Sequence, residues 1–140
     1  MPIDFFPVPI RVRYAETDQM GVVHHSVYAV WFEAARTELA RAVGLPYNQW
    51  ERQGVLLMVS GLAVRFRRPA RYGEDVTVEV KVAEVASRRV VFVYVVTNEK
   101  GETLAEGETR HLVVERATGH PMVIPAELRQ SLLRDPSASR

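Results

Sequence analysis

The sequence predicts an α+β fold in which an antiparallel sheet of five strands wraps around one long central helix. Three observations carry this. One strand-like segment is followed by one helix-forming segment and then by four strand-like segments in a row. The opening turns of the helix, Val27-Tyr28-Ala29-Val30-Trp31-Phe32, are apolar on every side, and such a helix has to be enclosed by other structure. The links between the later strands are short, which favours antiparallel pairing. A chain of 140 residues, 47% hydrophobic and 25% charged, suits one domain, read here as residues 1–133 with a flexible tail at 134–140. A chain of this length buries about two-thirds of its extended surface and needs neither metal nor disulfide to hold a core.

Pro7 to Tyr14 alternates Val8, Ile10, Val12 and Tyr14 with Pro9, Arg11 and Arg13, a half-buried strand whose two prolines place it at a sheet edge. Ala15 to His25 breaks that period and reads as a polar loop around Gly21. Ser26 is a candidate helix cap. Val27 to Val43 is the long helix, about five turns, stopped by Gly44 and Pro46; its later half, with Arg36, Glu38 and Arg41, reads as partly solvated. Tyr47 to Gly54 is a loop. Val55 to Arg68 is a long strand with Gly61 as a bulge, and Val76 to Val85 alternates strictly, with one wet face. Val90 to Val96 is apolar on both faces and belongs at the sheet centre. Asn98-Glu99-Lys100-Gly101 is a hairpin turn, Leu104 to Glu115 the last strand, and Arg116 to Pro125 a turn-rich link. A short helix near Pro125 to Leu133 and a frayed tail from Asp135 to Arg140 end the chain. The second apolar face of Val90 to Val96 has no cover in a monomer, which predicts a homo-oligomer, unless a terminal segment lies over it.

Composition excludes several classes. Without cysteine there is no disulfide scaffold, no Cys-ligated metal and no thiol nucleophile. Eighteen basic against seventeen acidic residues leave +1, far from the charge of a protein that neutralises many phosphates, so nucleic acid is not an expected partner. No stretch approaches the ~20 apolar residues of a membrane span, and Met1-Pro2-Ile3-Asp4 lacks a signal peptide's pattern. The expected location is the cytoplasm.

The loop before the helix is the candidate site. A helix start carries unpaired N–H groups and partial positive charge, so N–H groups near Val23, His24 and His25 could hold the oxygen of a polarised carbonyl. Asp18, seven residues before His25, could activate water or attack the carbonyl, and could equally be a turn-former. Adjacent histidines point different ways, so at most one of His24 and His25 faces a site. His111 and His120 have no ligand-like spacing to that pair, and no metal site is expected.

The run Arg13-Tyr14-Ala15-Glu16-Thr17-Asp18-Gln19-Met20-Gly21-Val22-Val23-His24-His25-Ser26-Val27-Tyr28, continuing Trp31-Phe32-Glu33-Ala34-Ala35-Arg36, resembles the signature of hotdog-fold acyl-CoA thioesterases of the 4-hydroxybenzoyl-CoA thioesterase type, nearest the bacterial short-chain branch. The resemblance implies a hotdog fold, sheets joined between two subunits and dimers paired into a homotetramer, with the active site between subunits. It implies that Asp18 does the hydrolytic work, as nucleophile or general base, and that the backbone N–H of His25 polarises the thioester carbonyl. The His25 side chain matches the short-acyl branch, whereas the aromatic-acyl enzyme carries tyrosine there. No cofactor is implied beyond coenzyme A as part of the substrate.

Further substrate-binding candidates are Tyr14, which could line the acyl pocket or be core, and Glu33, which could face the pocket or pair with Arg36 or Arg13. Arg88 and Arg89, at the Ala86-Ser87 hairpin, could meet CoA phosphates, as could Arg65, Arg67, Arg68 and Arg71; the alternative is a solvated face paired with Glu79, Glu84 or Glu108. Trp31, Phe32, Met58 and Phe66 could line an acyl pocket or fill the core. Two other readings stand beside hydrolysis: a hotdog dehydratase or hydratase, and a non-catalytic protein that binds acyl thioesters.

Overall fold

The edge position that two prolines predict is where the first strand lies. In the computed structural model, which describes residues 5–45 and 47–136, β1 (Phe6–Arg11) pairs only with β3 (Asp75–Val85). β3 pairs in turn with β4 (Arg89–Asn98), β4 with β5 (Thr103–Glu115), and β5 with β2 (Val55–Phe66), all antiparallel. The sheet order is β1-β3-β4-β5-β2. The β4–β5 hairpin turns where expected: Asn98 Oδ1 accepts the N–H groups of Lys100 and Glu102, and Gly101 takes φ +79°. The register of β2 on β5 shifts between Val59 and Gly61, the bulge that the glycine foretells.

Helix α1 (Val27–Ala42) lies across one face of this sheet and ends before Gly44, whose φ of +85° suits a residue just past a helix. Tyr28, Trp31, Phe32, Ala35 and Leu39 are buried beneath it. Phe32 stacks flat on Tyr94 of β4, ring centroids 4.1 Å apart, and sits directly over Gly107 of β5. A Cβ on Gly107 would lie 2.3 Å from the Phe32 ring, so the close approach of helix and sheet requires glycine there. This is the hotdog arrangement, an α+β fold with the helix inside the sheet's curve.

Four expectations need correction. The first strand ends at Arg11, and Tyr14 opens a 3-10 turn (Tyr14–Glu16) with its ring 76% exposed, so it is not core. Residues Tyr47–Arg52, read as loop, form the short helix α2, held by buried Trp50, whose Nε1 donates to the Leu45 carbonyl at 3.2 Å. Arg36, read as solvated, is buried: it follows Phe32 by one turn and so shares its inward stripe. The outer face of β4 is not a bare apolar patch, because Val91, Val93 and Val95 alternate across the strands with Glu84, Arg110, Lys81, Glu108, Glu79 and Glu106, whose aliphatic stems flank them. The exposed apolar row lies instead on β2, where Val59, Leu62 and Phe66 are each about half exposed on the helix side of the sheet. The C-terminal helix α3 (Ala126–Leu132) buries Leu128 and Leu132. Pro136 is buried too; Ser137 to Arg140, where most of the expected tail falls, Met1 to Asp4 and Pro46 lie outside the described residues.

Candidate active site

The loop between the 3-10 turn and α1 folds back on itself. Thr17 pairs antiparallel with Val23, the Asp18 N–H donates to the Val22 carbonyl at 2.8 Å, and Gly21, at φ +77°, closes the turn by donating to the Asp18 carbonyl at 3.0 Å. Asp18 is therefore a turn-former, its Oδ1 accepting the N–H groups of Met20 at 2.8 Å and Val22 at 3.4 Å. Its other oxygen, Oδ2, accepts no hydrogen bond among the described residues, and the side chain is exposed. One carboxylate thus holds the turn with one oxygen and presents the other outward.

A buried carboxylate that sequence reasoning missed anchors the loop. Glu16 is 7% exposed; its Oε1 accepts the Arg13 N–H at 2.8 Å, and its Oε2 accepts Trp31 Nε1–H at 3.0 Å, tying the loop to α1. The Glu16 carbonyl accepts the His24 N–H at 2.9 Å. The signal was the spacing Arg13-x-x-Glu16, in which a glutamate reaches back to the N–H three residues earlier.

That network decides which N–H groups remain for a ligand. Of the three expected to be free, Val23 donates to the Ala70 carbonyl at 2.8 Å and His24 donates to Glu16, so neither is available. The His25 N–H has no acceptor among the described residues, and it stands two residues before Val27, the first residue of α1. The expected cap is absent: Ser26 has helical angles and makes no side-chain bond to the helix, because its hydroxyl is held by His24 Nδ1 at 2.8 Å. The His24 and His25 rings are both exposed and lie 4.0 Å apart, tilted by 32°.

The other candidates are dispersed. Tyr14 meets Tyr72 edge to face at 5.6 Å, on the exposed side of the loop. Glu33 makes no ion pair with Arg36 or Arg13 and lines two clefts beside α1, of about 430 and 180 Å³, together with Arg36. Arg89 is paired with Glu84 at 2.8 Å, whereas the exposed Arg88 has no side-chain partner among the described residues. Arg67 and Arg68 are paired with Glu106 and Glu102, both at 3.2 Å, and Arg65 has no ion pair among the described residues. Arg71 donates through its backbone N–H to Glu74. Trp31 and Phe32 are core, while Met58 and Phe66 are about half exposed.

A second polar group lies under the helix, also unread in the sequence: Arg36, Tyr94, Thr109 and His111, all buried. Thr109 Oγ1 lies 2.5 Å from the Tyr94 hydroxyl and 2.8 Å from His111 Nε2. Burial, aided by Arg36, pushes His111 down to about 4, and burial pushes the Tyr94 hydroxyl up.

Comparison with known proteins agrees with this architecture. The chain is 35% identical over 113 residues to a protein of Bacillus subtilis named as a putative acyl-CoA thioesterase, covering 81% of this chain and 82% of that one. A Thermus thermophilus protein of solved structure, described as hypothetical, superposes with a TM-score of 0.85 at 49% identity, covering 90% of this chain and 95% of that one. The DHNA-CoA thioesterase of Staphylococcus aureus superposes with a TM-score of 0.86 at 33% identity, covering 91% of this chain and 87% of that one. With a family model matching residues 12–132, a span that runs from the anchored loop through the whole helix and sheet to α3, the chain belongs to the Thioesterase-like superfamily.

Proposed function

We propose that the protein hydrolyses an acyl-CoA thioester to the free acid and CoA, taking a short acyl group. The observation that carries this reading is that one loop carries both an outward-facing Asp18 Oδ2 and the unused N–H of His25 at the start of α1, while the neighbouring Val23 and His24 N–H groups are engaged. The His25 N–H, at the positive end of α1, polarises the thioester carbonyl and takes the charge that develops on its oxygen. Asp18 acts as nucleophile or as the base that draws a proton from water. The proton ends on the leaving thiolate of CoA, so the reaction needs water and no cofactor. Arg88, the unpaired cation of the β3–β4 hairpin, is the group we assign to CoA phosphate, with Arg89 beside it.

The relatives' names support the reaction class, and the chain's own residues support the roles. We also propose that the working form is a dimer, paired further into a tetramer, in the cytoplasm. β2 is an edge strand, and its exposed Val59, Leu62 and Phe66 stand beside the exposed Val30 of α1. Pairing of β2 with its copy would continue the sheet and cover that row. A Leu62→Glu variant should run at half the mass or less by light scattering; an unchanged mass would remove β2 as the contact.

The test of the reaction is thiol release from short aliphatic, long aliphatic and aromatic acyl-CoAs by wild type and Asp18→Asn. Asparagine keeps an oxygen for the Met20 N–H, so the turn should survive, and kcat should drop by about 100-fold or more. A folded Asp18→Asn enzyme with wild-type kcat would reject the assignment.

A further inference from the structure

Glu16 grips the start of α1 with its side chain and its main chain together. The buried side chain accepts the Arg13 N–H on Oε1 at 2.8 Å and the Trp31 Nε1–H on Oε2 at 3.0 Å. Trp31 is buried one turn into α1, so the second of these bonds fastens the 3-10 turn to the body of the helix. The main chain adds to this hold. The Glu16 carbonyl accepts the His24 N–H at 2.9 Å, beside the bridge that pairs Thr17 with Val23. His24 is held on its other side as well, since its carbonyl accepts the N–H of Val27, the first residue of α1, at 3.0 Å.

These bonds decide where the His25 N–H points. The His24–His25 peptide is trans, so its C=O and N–H share one plane and point opposite ways. With the C=O turned toward the Val27 N–H, the His25 N–H points back from the helix start, the direction in which a helix presents its unpaired donors. His24 is thus tied to Glu16 at one side and to α1 at the other, and Glu16 is tied to α1 through Trp31. The contacts close a ring around the His25 N–H, which has no acceptor among the described residues. A donor that meets charge developing in a transition state has to be placed before the reaction, and a shift of about 1 Å costs turnover far more than it costs binding.

We propose that Glu16 is a positioning residue for the carbonyl-polarising donor: it holds the His24–His25 peptide so that the His25 N–H meets the oxygen that becomes charged. This rests on the acyl-thioester reading above, and the test separates the two. In Glu16→Gln one accepting oxygen becomes an NH2 group, so donor faces donor at either Arg13 or Trp31. Trp31→Phe removes the indole donor and with it that conflict. Thiol release from a short acyl-CoA would be measured on wild type, Glu16→Gln, Trp31→Phe and the double variant. The same proteins would bind S-acetonyl-CoA, a ketone that cannot be hydrolysed, and the stretch of its carbonyl would be read by infrared spectroscopy. In Glu16→Gln kcat should fall about 10- to 100-fold while KM stays within about threefold, and the ketone stretch should lie higher than in wild type, because its oxygen loses the donor. Trp31→Phe and the double variant should resemble each other and lie between those two, since neither carries the opposed donors. Thermal melting of each variant shows that it is folded; if Glu16→Gln is not, the split between kcat and KM in Trp31→Phe decides. Wild-type kcat in folded Glu16→Gln, a KM that rises in step with the loss of kcat, a double variant no better than Glu16→Gln, or a ketone stretch equal in both would overturn the proposal and leave the hydrolase standing. A wild type that shows the stretch difference yet releases no thiol would keep the positioning role and lose the hydrolase, and one that neither binds the ketone nor releases thiol would overturn both.

Discussion

The Asp18 loop and the Arg36 cluster are the two polar regions that touch α1, and they are built in opposite ways. The loop is exposed, yet nearly every polar group in it has a partner: Oδ1 of Asp18, both oxygens of Glu16, and the N–H groups of Val23 and His24 are all engaged. Among the groups left over are one carboxylate oxygen, Asp18 Oδ2, and the His25 N–H at the start of α1. The cluster is buried, yet leaves the Nδ1 of His111 without a hydrogen-bond partner among the described residues. In water an unmade hydrogen bond is replaced by solvent, so an exposed loop gains rigidity from internal partners without needing them for solvation. In the interior the same vacancy is unfavourable. Preorganisation marks the first region, and a buried histidine held neutral marks the second.

The contrast breaks most directly at Glu16. Replacing it with alanine leaves the buried Trp31 Nε1–H and the Arg13 N–H without acceptors, and should lower stability by about 2–4 kcal/mol in chemical denaturation. It should also lower kcat at saturating substrate, because the loop that presents Asp18 loses its tie to α1. A variant with wild-type turnover would show that the tie is not what positions Asp18.

The cluster responds to pH. His111 is held near 4 in the fold, below the ~6.5 of the unfolded chain, so its contribution is fully present above pH 6.5 and is lost as pH falls toward 4. Stability should therefore drop by about 2–3 kcal/mol more in wild type than in His111→Gln over that window, read from melting at pH 7.5, 5.5 and 4. Parallel curves would mean that His111 is hydrated in solution and the cluster is less closed than the structure has it. The smallest effect belongs to Ser26→Ala. A serine capping a helix through its side chain costs about 1 kcal/mol on removal, but here the hydroxyl bonds only His24, so the loss should stay below about 0.5 kcal/mol. A larger loss would restore the cap.

Much of the fold could be read from residue order. Prolines at the start of β1 marked an edge, the unbroken apolar run of β4 marked the centre, Asn98 to Gly101 marked a hairpin, and an all-round apolar α1 required a sheet around it. These are local rules, in which a residue's conformation or periodicity follows from its own chemistry and its near neighbours. Asp18 and His25 could be picked out as candidates for a related reason, since they lie on one short loop with an unbroken motif. Helix α2 was lost because its six residues have little periodicity and depend on Trp50 being buried.

Other facts depended on residues far apart in the chain. Whether Val23, His24 or His25 keeps a free N–H depended on Ala70 and Glu16, and whether Ser26 caps depended on His24. That Arg36 of α1 meets Tyr94 of β4 and Thr109 and His111 of β5 followed from strand register and from how closely Phe32 settles over Gly107. Motif and period specify which groups a segment carries. Desolvation and hydrogen-bond satisfaction act between segments, so which of those groups stay unpaired is settled when helix and sheet close on each other.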